Sequence, residues 1–147
     1  MKGVIGFLFF LLFLAGLFLV FLQGKAITGA GLSTGGIELT AIRWRATYIG
    51  AEPVPEDAGV WVQFEVDGSI SGNAGCNSFF GSLEKTESGV KVGPLGATRM
   101  ACPEPAMSRE TAFLGALQQA TAFEVAGQRM MSLDSEGNLL VEFTALD

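Results

Sequence analysis

The sequence predicts an α+β fold, in which one main helix covers an antiparallel sheet and one N-terminal transmembrane helix precedes both. Three observations support this prediction: a long apolar run at the start of the chain, several short extended segments bounded by turn residues, and one segment with helical spacing. The chain has 147 residues. The part after the apolar run is therefore large enough for one domain and too small for two.

The apolar run covers residues 4–22 and contains no polar side chain. A helix that crosses a bilayer needs about 20 residues, whereas the apolar region of a cleavable signal peptide has roughly 7 to 15. We therefore predict an uncleaved signal anchor at residues 1–25, with cleavage as the alternative. Residues 26–36 are rich in Gly, Ser and Thr, which predicts a flexible linker. Residues 37–147 are then the exported domain.

Short strands make up most of the predicted domain. A first strand is predicted over residues 36–49, and residues 60–66 alternate between apolar and polar side chains. Asp67 and Gly68 predict a two-residue hairpin turn that leads into a return strand at residues 70–74. Further strands are predicted at residues 124–125, 130–133 and 139–144. Such short strands separated by turns predict a mainly antiparallel sheet.

One helix is predicted between Pro105 and Thr121. Apolar residues recur at helical spacing from Ala106 to Ala120, and Pro105 suits the first turn of a helix. A small sheet needs a cover on its inner side. We therefore expect the apolar stripe of this helix to pack on the sheet.

Composition argues against several functional classes. The net charge is −6, which opposes binding to nucleic acid and to anionic lipid surfaces. The chain contains no histidine, so it lacks Ser-His and Cys-His pairs and the zinc motifs that need imidazole. We therefore predict no enzymatic activity, no cofactor and no metal site.

Cys76 and Cys102 are the only cysteines. In an exported domain a disulfide between them is the default prediction. The alternative is a nucleophilic Cys76, with Arg99 lowering the pKa of its thiol and Asn77 beside it as an orienting group, but a carboxylate would have to serve as the base. Arg99 is otherwise expected to be a buried charge that pairs with an acid or with helix carbonyls. The nearby glycines are expected at bulges or tight bends of a curved sheet.

Four motifs succeed one another in a characteristic order. They are G-x-A-G-C-N-x-F-x-G from Gly72, T-R-M-A-C-P from Thr98, a helix containing Arg109 and Glu110, and a closing segment that ends at Phe143. Together they resemble the META domain, also called the HslJ-like family, over about residues 38–143.

The resemblance implies a small domain with a curved antiparallel sheet or partly open barrel. It carries over no catalytic residues, and it implies a structural role for eight motif residues: Gly72, Gly75, Asn77, Gly81, Thr98, Arg99, Met100 and Pro103. Family members occur on secreted or envelope-anchored bacterial proteins and are linked to heat shock, antibiotic tolerance, and motility or virulence. Many have a lipid-anchor cysteine near the N-terminus, which this chain lacks.

The sequence therefore predicts a non-enzymatic protein of the inner (cytoplasmic) membrane with a single transmembrane pass and its C-terminal domain in the periplasm or outside the cell. Its predicted partners are the membrane and another envelope protein, in a stress-tolerance or protein-interaction role, with no nucleic acid. One alternative is binding of a small apolar ligand or lipid inside the barrel, and a thiol enzyme using Cys76 is another. The barrel lining would come from six side chains: Phe64, Val66, Phe79, Phe80, Leu133 and Phe143.

Overall fold

The structure is a computed structural model that describes residues 39, 40 and 42–146. The predicted signal anchor at residues 1–25 and the predicted linker at residues 26–36 lie outside the described residues. In the part of the chain that the structure describes, no helix is both long and apolar enough to cross a membrane.

Within residues 42–146 the chain forms one helix and ten strands. The first five strands are β1 (Arg43–Ile49), β2 (Glu52–Pro53), β3 (Val60–Phe64), β4 (Ser69–Ala74) and β5 (Ser78–Thr86). The helix α1 (Ala106–Gln119) separates β6 (Gly89–Val92) and β7 (Gly96–Ala97) from β8 (Ala122–Ala126), β9 (Arg129–Leu133) and β10 (Leu139–Leu146). A 3-10 turn at Glu56–Ala58 precedes β3.

The strands pair in the order β6-β5-β4-β3-β1-β10-β9-β8, with β2 added to β1 and β7 added to β5. All of these pairings are antiparallel. The two ends of the sheet meet where the N–H of Val90 donates to the carbonyl of Thr121 at 2.8 Å. The sheet is therefore a nearly closed barrel, and the prediction of a curved antiparallel sheet with one helix is confirmed.

The core lies between α1 and the inner face of the barrel. Phe113 of α1 is fully buried, and its ring meets the rings of Phe79 and Phe143 edge to face, with centroids 5.8 and 6.2 Å apart. Trp44 and Leu117 are also fully buried. The apolar stripe of the helix therefore covers the sheet, as expected for a small sheet that cannot bury one face alone.

Four strands, β2, β5, β6 and β7, are absent from the sequence prediction, and one predicted strand is too long. β5 buries only Phe79 fully, and its second half forms an exposed hairpin with β6. Backbone pairing with β4 and β6 holds this segment extended. Its sequence does not alternate between apolar and polar residues, which is why no strand was predicted there. The strand predicted over residues 36–49 begins at Arg43, where pairing with both β3 and β10 starts.

The predicted two-residue turn at Asp67 and Gly68 is wrong by one residue. The N–H of Gly68 donates to the carbonyl of Glu65 at 3.0 Å, so Val66 and Asp67 occupy the centre of the turn. Gly68 comes next, with a φ of +85°. Asp67 Oδ1 accepts hydrogen bonds from both the N–H and the hydroxyl of Ser69, and these bonds favour this placement of the turn.

Candidate functional site

The side chain of Asn77 connects the two cysteine motifs. Asn77 lies just before β5 and is almost completely buried. Its Oδ1 accepts hydrogen bonds from the N–H of Met100 at 2.7 Å and from the hydroxyl of Thr98 at 2.8 Å. Its Nδ2 donates to the carbonyl of Met100 at 3.1 Å and to Oε1 of Glu110 at 2.9 Å. Both donors and both acceptor positions of this amide are therefore used.

Glu110 supplies the helix's part of this cluster. It lies in the first half of α1 and is only 8% exposed. Its second carboxylate oxygen, Oε2, accepts a hydrogen bond from the N–H of Asn77 at 2.7 Å. No Lys or Arg among the described residues lies within 4.0 Å of this carboxylate. The buried acid is therefore held by two N–H donors of Asn77, the hydrogen bonding that a buried carboxylate requires.

We name Asn77, Thr98, Met100 and Glu110 the Asn77 cluster. Among the described residues, no buried side-chain nitrogen or oxygen lacks a hydrogen-bond partner. In such a cluster each member supplies hydrogen-bond partners to the others, so removal of one leaves several polar groups without partners. The cluster fixes the corner between β4 and β5 against the segment that enters α1.

The cysteines support the same junction. Cys76 and Cys102 form a disulfide, with their sulfur atoms 2.03 Å apart. The predicted pairing is therefore confirmed. With its sulfur bonded to that of Cys102, Cys76 does not carry the free thiolate that the alternative thiol-enzyme hypothesis requires.

The motif glycines have structural uses, but only Gly75 bends the chain as predicted. Gly75 has a φ of +101° and donates its N–H to the side chain of Asn73. Gly72 and Gly81 lie within β4 and β5, where the register is regular, so the prediction of bulges or bends there is wrong. A Cβ at Gly72 would overlap the backbone carbonyl of Trp61, so this position requires glycine. A Cβ at Gly81 would meet the end of the Leu95 side chain, which can shift.

The remaining motif residues lie on the segment that leads to α1. Pro103 accepts a hydrogen bond from the N–H of Ala106 at 3.1 Å. Arg99 is exposed and forms no side-chain hydrogen bond or ion pair with a described residue. The expectation of a buried, paired Arg99 is therefore wrong. Asn77 and Glu110 occupy the interior here, and the Arg99 side chain lies outside.

The predicted ligand-binding lining is wrong for two of its six residues. Val66 is 88% exposed because it lies in a turn, and Phe80 is 66% exposed because it alternates with the buried Phe79 on β5. Phe64 and Phe143 are buried members of the core, and Leu133 is half-buried. The described core side chains pack against one another where the ligand hypothesis placed a cavity.

A groove of about 350 Å³ lies outside the barrel, between the β1–β2 turn region and the start of α1. Eight residues line it: Ile49, Glu52, Pro53, Val54, Pro105, Ser108, Arg109 and Ala112. Within the described residues, no group of three or more Cys, Asp or Glu side chains is arranged to hold a metal ion.

The function of Glu110 was not predicted. Its position offered a signal, since Glu110, Phe113 and Leu117 share one face of α1 and the other two are core residues. A carboxylate on an apolar helix face needs a buried donor. That requirement, combined with an asparagine in the cysteine motif, could have suggested the pair.

Comparison with known proteins identifies the fold and the family. The META domain family model matches residues 37–147. An NMR structure of a protein from Burkholderia xenovorans is similar, with 26% identity, a TM-score of 0.59, and coverage of 74% of this chain and 83% of that one.

Two further solved structures share the fold at lower identity. A second NMR structure has 19% identity and a TM-score of 0.58, covering 72% of this chain and 90% of that one. A crystal structure of a DUF4847 family protein from Bacteroides vulgatus has 13% identity and a TM-score of 0.53, covering 72% and 93%. No curated protein matches the sequence. The family match spans the whole described domain, and the chain belongs to the META domain family.

Proposed function

We propose that this chain is a non-enzymatic META-domain protein, anchored in the cytoplasmic membrane by residues 1–25, with its domain on the outer side. There it contacts another envelope protein and supports stress tolerance. The observation that carries this proposal is the junction between the two cysteine motifs, where the disulfide and the Asn77 cluster lie together.

The disulfide supports the outer location. Disulfides form and persist in oxidising compartments and are rare in the cytosol. Cys76 and Cys102 are 26 positions apart, so their bond closes a loop that is worth about 3.5 kcal/mol in the chain-entropy description. For a small domain this is a substantial share of the stability. Export would thus provide the conditions in which this domain is most stable.

The Asn77 cluster supports a structural role for the motif residues. Catalytic residues need a group free to bind or exchange protons with a substrate. Asn77, Thr98 and Glu110 instead direct their polar atoms at one another or at the backbone of Met100. The Asn77 cluster thus joins the β4–β5 corner to α1 and to the segment that precedes it. This favours a domain that acts through its surface.

Quantitative thiol labelling tests the compartment and the absence of a reactive cysteine. Native membranes are treated with an alkylating reagent before and after reduction. We expect no labelling of Cys76 and Cys102 until reductant is added. Labelling of unreduced protein in freshly lysed cells would contradict both the exported location and the disulfide-stapled domain.

A second measurement tests topology and anchoring. Val66, which is exposed, is replaced by Cys in the otherwise native chain, where the disulfide already keeps Cys76 and Cys102 from reacting. A membrane-impermeant maleimide should label this cysteine in spheroplasts without lysis, and alkaline extraction should leave the chain in the membrane pellet. Labelling only after lysis would place the domain inside, and release into the supernatant would favour a cleaved N-terminal segment.

A further inference from the structure

We infer that the groove beside the start of α1 binds a small zwitterion with an apolar side chain, either an apolar amino acid or a short apolar peptide. The carboxylate of the ligand contacts Arg109, and its ammonium group contacts Glu52. We name this cavity, with its eight lining residues, the α1 groove. This small-molecule site is additional to the contact with an envelope protein.

One wall of the α1 groove is a stripe of the helix that does not face the core. The start of the helix contributes four lining residues, which are Pro105, Ser108, Arg109 and Ala112. Their spacing of three and four positions places them on one side of a helix. Phe113 and Leu117 are fully buried on the core-facing side. The helix thus has one face for the core and another for the groove.

The other wall is a tight turn of the sheet. It contributes the remaining four lining residues, which are Ile49, Glu52, Pro53 and Val54. Ile49 of β1 pairs with Glu52 of β2, and the N–H of Val54 donates to the carbonyl of Thr47 at 2.9 Å. The backbone of this wall is therefore fixed before a ligand arrives, which reduces the ordering cost of binding.

The size and lining of the groove suit a small molecule. Its volume of about 350 Å³ lies within the range of about 300 to 1,000 Å³ that is usual for small-molecule sites. Five of the eight lining residues are apolar: Ile49, Pro53, Val54, Pro105 and Ala112. A concave, mostly apolar lining with a few polar groups is the usual composition of such sites.

Arg109 differs from the other described arginines in its surroundings. Arg43 and Arg99 also lack an acid within 4.0 Å among the described residues, but Arg43 lies over the Trp61 ring and Arg99 is exposed. Arg109 is half-buried, and its guanidinium forms no hydrogen bond or ion pair with a described residue. Arg45, the other half-buried arginine of the described domain, is held in an ion pair. Arg109 is therefore partly withdrawn from water without a protein partner.

Glu52 provides the opposite charge in the same groove. It forms no ion pair with a described residue, and it does not pair with Arg109. The nearby acid Glu104 is already bonded, because the hydroxyl and N–H of Ser108 both donate to it. The groove therefore presents one unpaired cation and one unpaired anion. This arrangement is complementary to a ligand that carries both charges, whereas a purely anionic ligand would be repelled by Glu52.

A second copy of this chain fits the groove less well. A symmetric dimer places the same surface of both chains together, so two concave grooves would enclose a void that lacks packing contacts. An asymmetric contact would need an exposed apolar side chain with both charges beside it. No exposed large apolar residue of the described domain has an acidic and a basic neighbour in sequence. Val66 lies between two acids, and Met100 follows Arg99 without an adjacent acid.

Calorimetric titration of the purified full chain in detergent tests the site. The probes are leucine and leucyl-leucine, which separate an amino acid from a peptide as the ligand. We expect saturable binding of at least one of them. Glycine should bind about tenfold more weakly than leucine, because it has no apolar side chain to bury. Leucinamide lacks the carboxylate and N-acetylleucine lacks the ammonium group, so each should also bind about tenfold more weakly.

Charge variants assign each ligand group to its residue. Arg109→Gln removes the cation, so leucine and leucinamide should bind this variant with nearly equal affinity. Glu52→Gln removes the anion, so leucine and N-acetylleucine should bind that variant with nearly equal affinity. The matched controls are Arg99→Gln and Glu84→Gln, which change exposed charges outside the groove and should keep the wild-type preferences.

A variant that fills the groove tests the location without changing a charge. Ala112→Leu places a larger side chain in the lining and should weaken leucine binding about tenfold or more. Gln118→Leu, at an exposed position of α1 outside the groove, is the matched control and should bind like wild type. Urea unfolding should show that both variants remain folded.

Four outcomes would overturn the inference. The first is no saturable binding of either zwitterion up to about 10 mM. The second is equal binding of leucine and its two singly charged analogues by wild type. The third is leucine binding that Ala112→Leu does not weaken, which would place the ligand elsewhere. The fourth is a sedimentation mass that doubles with concentration and returns to that of one chain in Ala112→Leu, which would assign the groove to a second copy. Each would leave the proposed envelope contact as it stands.

Discussion

The Asn77 cluster and the β9–β10 turn use the same chemistry in two different environments. In the turn, Asp134 Oδ1 accepts hydrogen bonds from the N–H groups of Glu136 and Asn138, and Oδ2 accepts one from the Asn138 amide. All of these partners lie within five positions of one another at the surface. The Asn77 cluster joins residues up to 33 positions apart in the interior.

Hydrogen bonds in these two environments contribute differently to the free energy of unfolding. Water can replace the partners of a surface carboxylate, so a lost hydrogen bond there has a small effect. Water does not reach a buried amide and carboxylate in the same way, so each lost partner costs the desolvation of the group left behind. The two regions have similar numbers of hydrogen bonds, and we expect them to differ widely in their contribution to the free energy of unfolding.

The largest effect is expected for Asn77→Ala. The substitution removes four side-chain hydrogen bonds to oxygen or nitrogen atoms and a weaker one to the Cys76 sulfur, and it leaves Glu110 with one donor. The free energy of unfolding should therefore fall by about 3 to 5 kcal/mol. Urea unfolding of the purified chain measures this. Asn138→Ala, which removes an asparagine from the turn, is the matched control and should have a much smaller effect. Equal losses in the two variants would contradict the comparison.

A slightly smaller effect is expected for Cys102→Ser. Loss of the bond that closes the loop from Cys76 should lower the free energy of unfolding by about 3.5 kcal/mol through the unfolded chain. Reduced wild-type protein should lose a similar amount, which serves as the control. Because the disulfide acts through the unfolded chain and the Asn77 cluster acts in the folded state, the losses from Cys102→Ser and Asn77→Ala should add. A clear departure from additivity would show that the disulfide and the cluster also depend on each other in the folded state.

A moderate effect is expected for Glu110→Gln. The amide keeps one acceptor oxygen for Asn77 but places an NH₂ group where the second oxygen accepts the backbone N–H. One donor then lacks an acceptor, which should lower the free energy of unfolding by about 1 to 2 kcal/mol. Glu124→Gln on β8, where the side chain is exposed, is the control. An unchanged free energy of unfolding in Glu110→Gln would mean that the carboxylate is not required for stability.

The smallest effect is expected for Asp134→Asn, and it should depend on pH. The Asn138 side chain, and after it the backbone N–H groups of the turn, lower the pKa of Asp134 from its ordinary value of 3.8. A carboxyl group with a lowered pKa in the folded state stabilises the fold above its ordinary pKa, and this contribution is lost as the pH falls through the lowered value.

The difference in unfolding free energy between wild type and Asp134→Asn should therefore be present at pH 7 and shrink below about pH 4. Urea unfolding across this range measures it. Asp67→Asn provides a parallel test in the β3–β4 turn, because the hydroxyl and N–H of Ser69 lower the pKa of Asp67 as well. A difference that grows in acid would have the wrong sign for this explanation.

Much of the fold was predictable from local patterns. The alternation in β3, the paired segments β9 and β10, and the helical spacing of α1 are visible because each buries one face. β5 was not predictable in this way, since most of its length faces solvent and only pairing keeps it extended. The centre of the β3–β4 turn lies one residue earlier than predicted, at Val66 and Asp67. The N–H and hydroxyl of Ser69 donate to the Asp67 carboxylate and favour this position.

The candidate site was only partly predictable. The sequence indicated that Asn77 and Thr98 belong to one family motif set, and it predicted the pairing of Cys76 with Cys102. It did not indicate that Arg99 faces solvent or that Glu110 meets Asn77. Contacts between residues 33 positions apart depend on how the helix lies against the sheet, and no local periodicity records that geometry.

The sequence by itself determined the class of fold and the family, and it favoured the pairing of its two cysteines, because these depend on local periodicity, motif order and the cysteine count. Only the tertiary structure decided the near closure of the barrel, the close approach at Gly72 and the partners of Asn77. It also decided which motif side chains are buried and which face solvent. The physical reason is that burial and hydrogen bonding of distant groups are properties of the packed chain, in which each group is satisfied by residues that the local sequence does not specify.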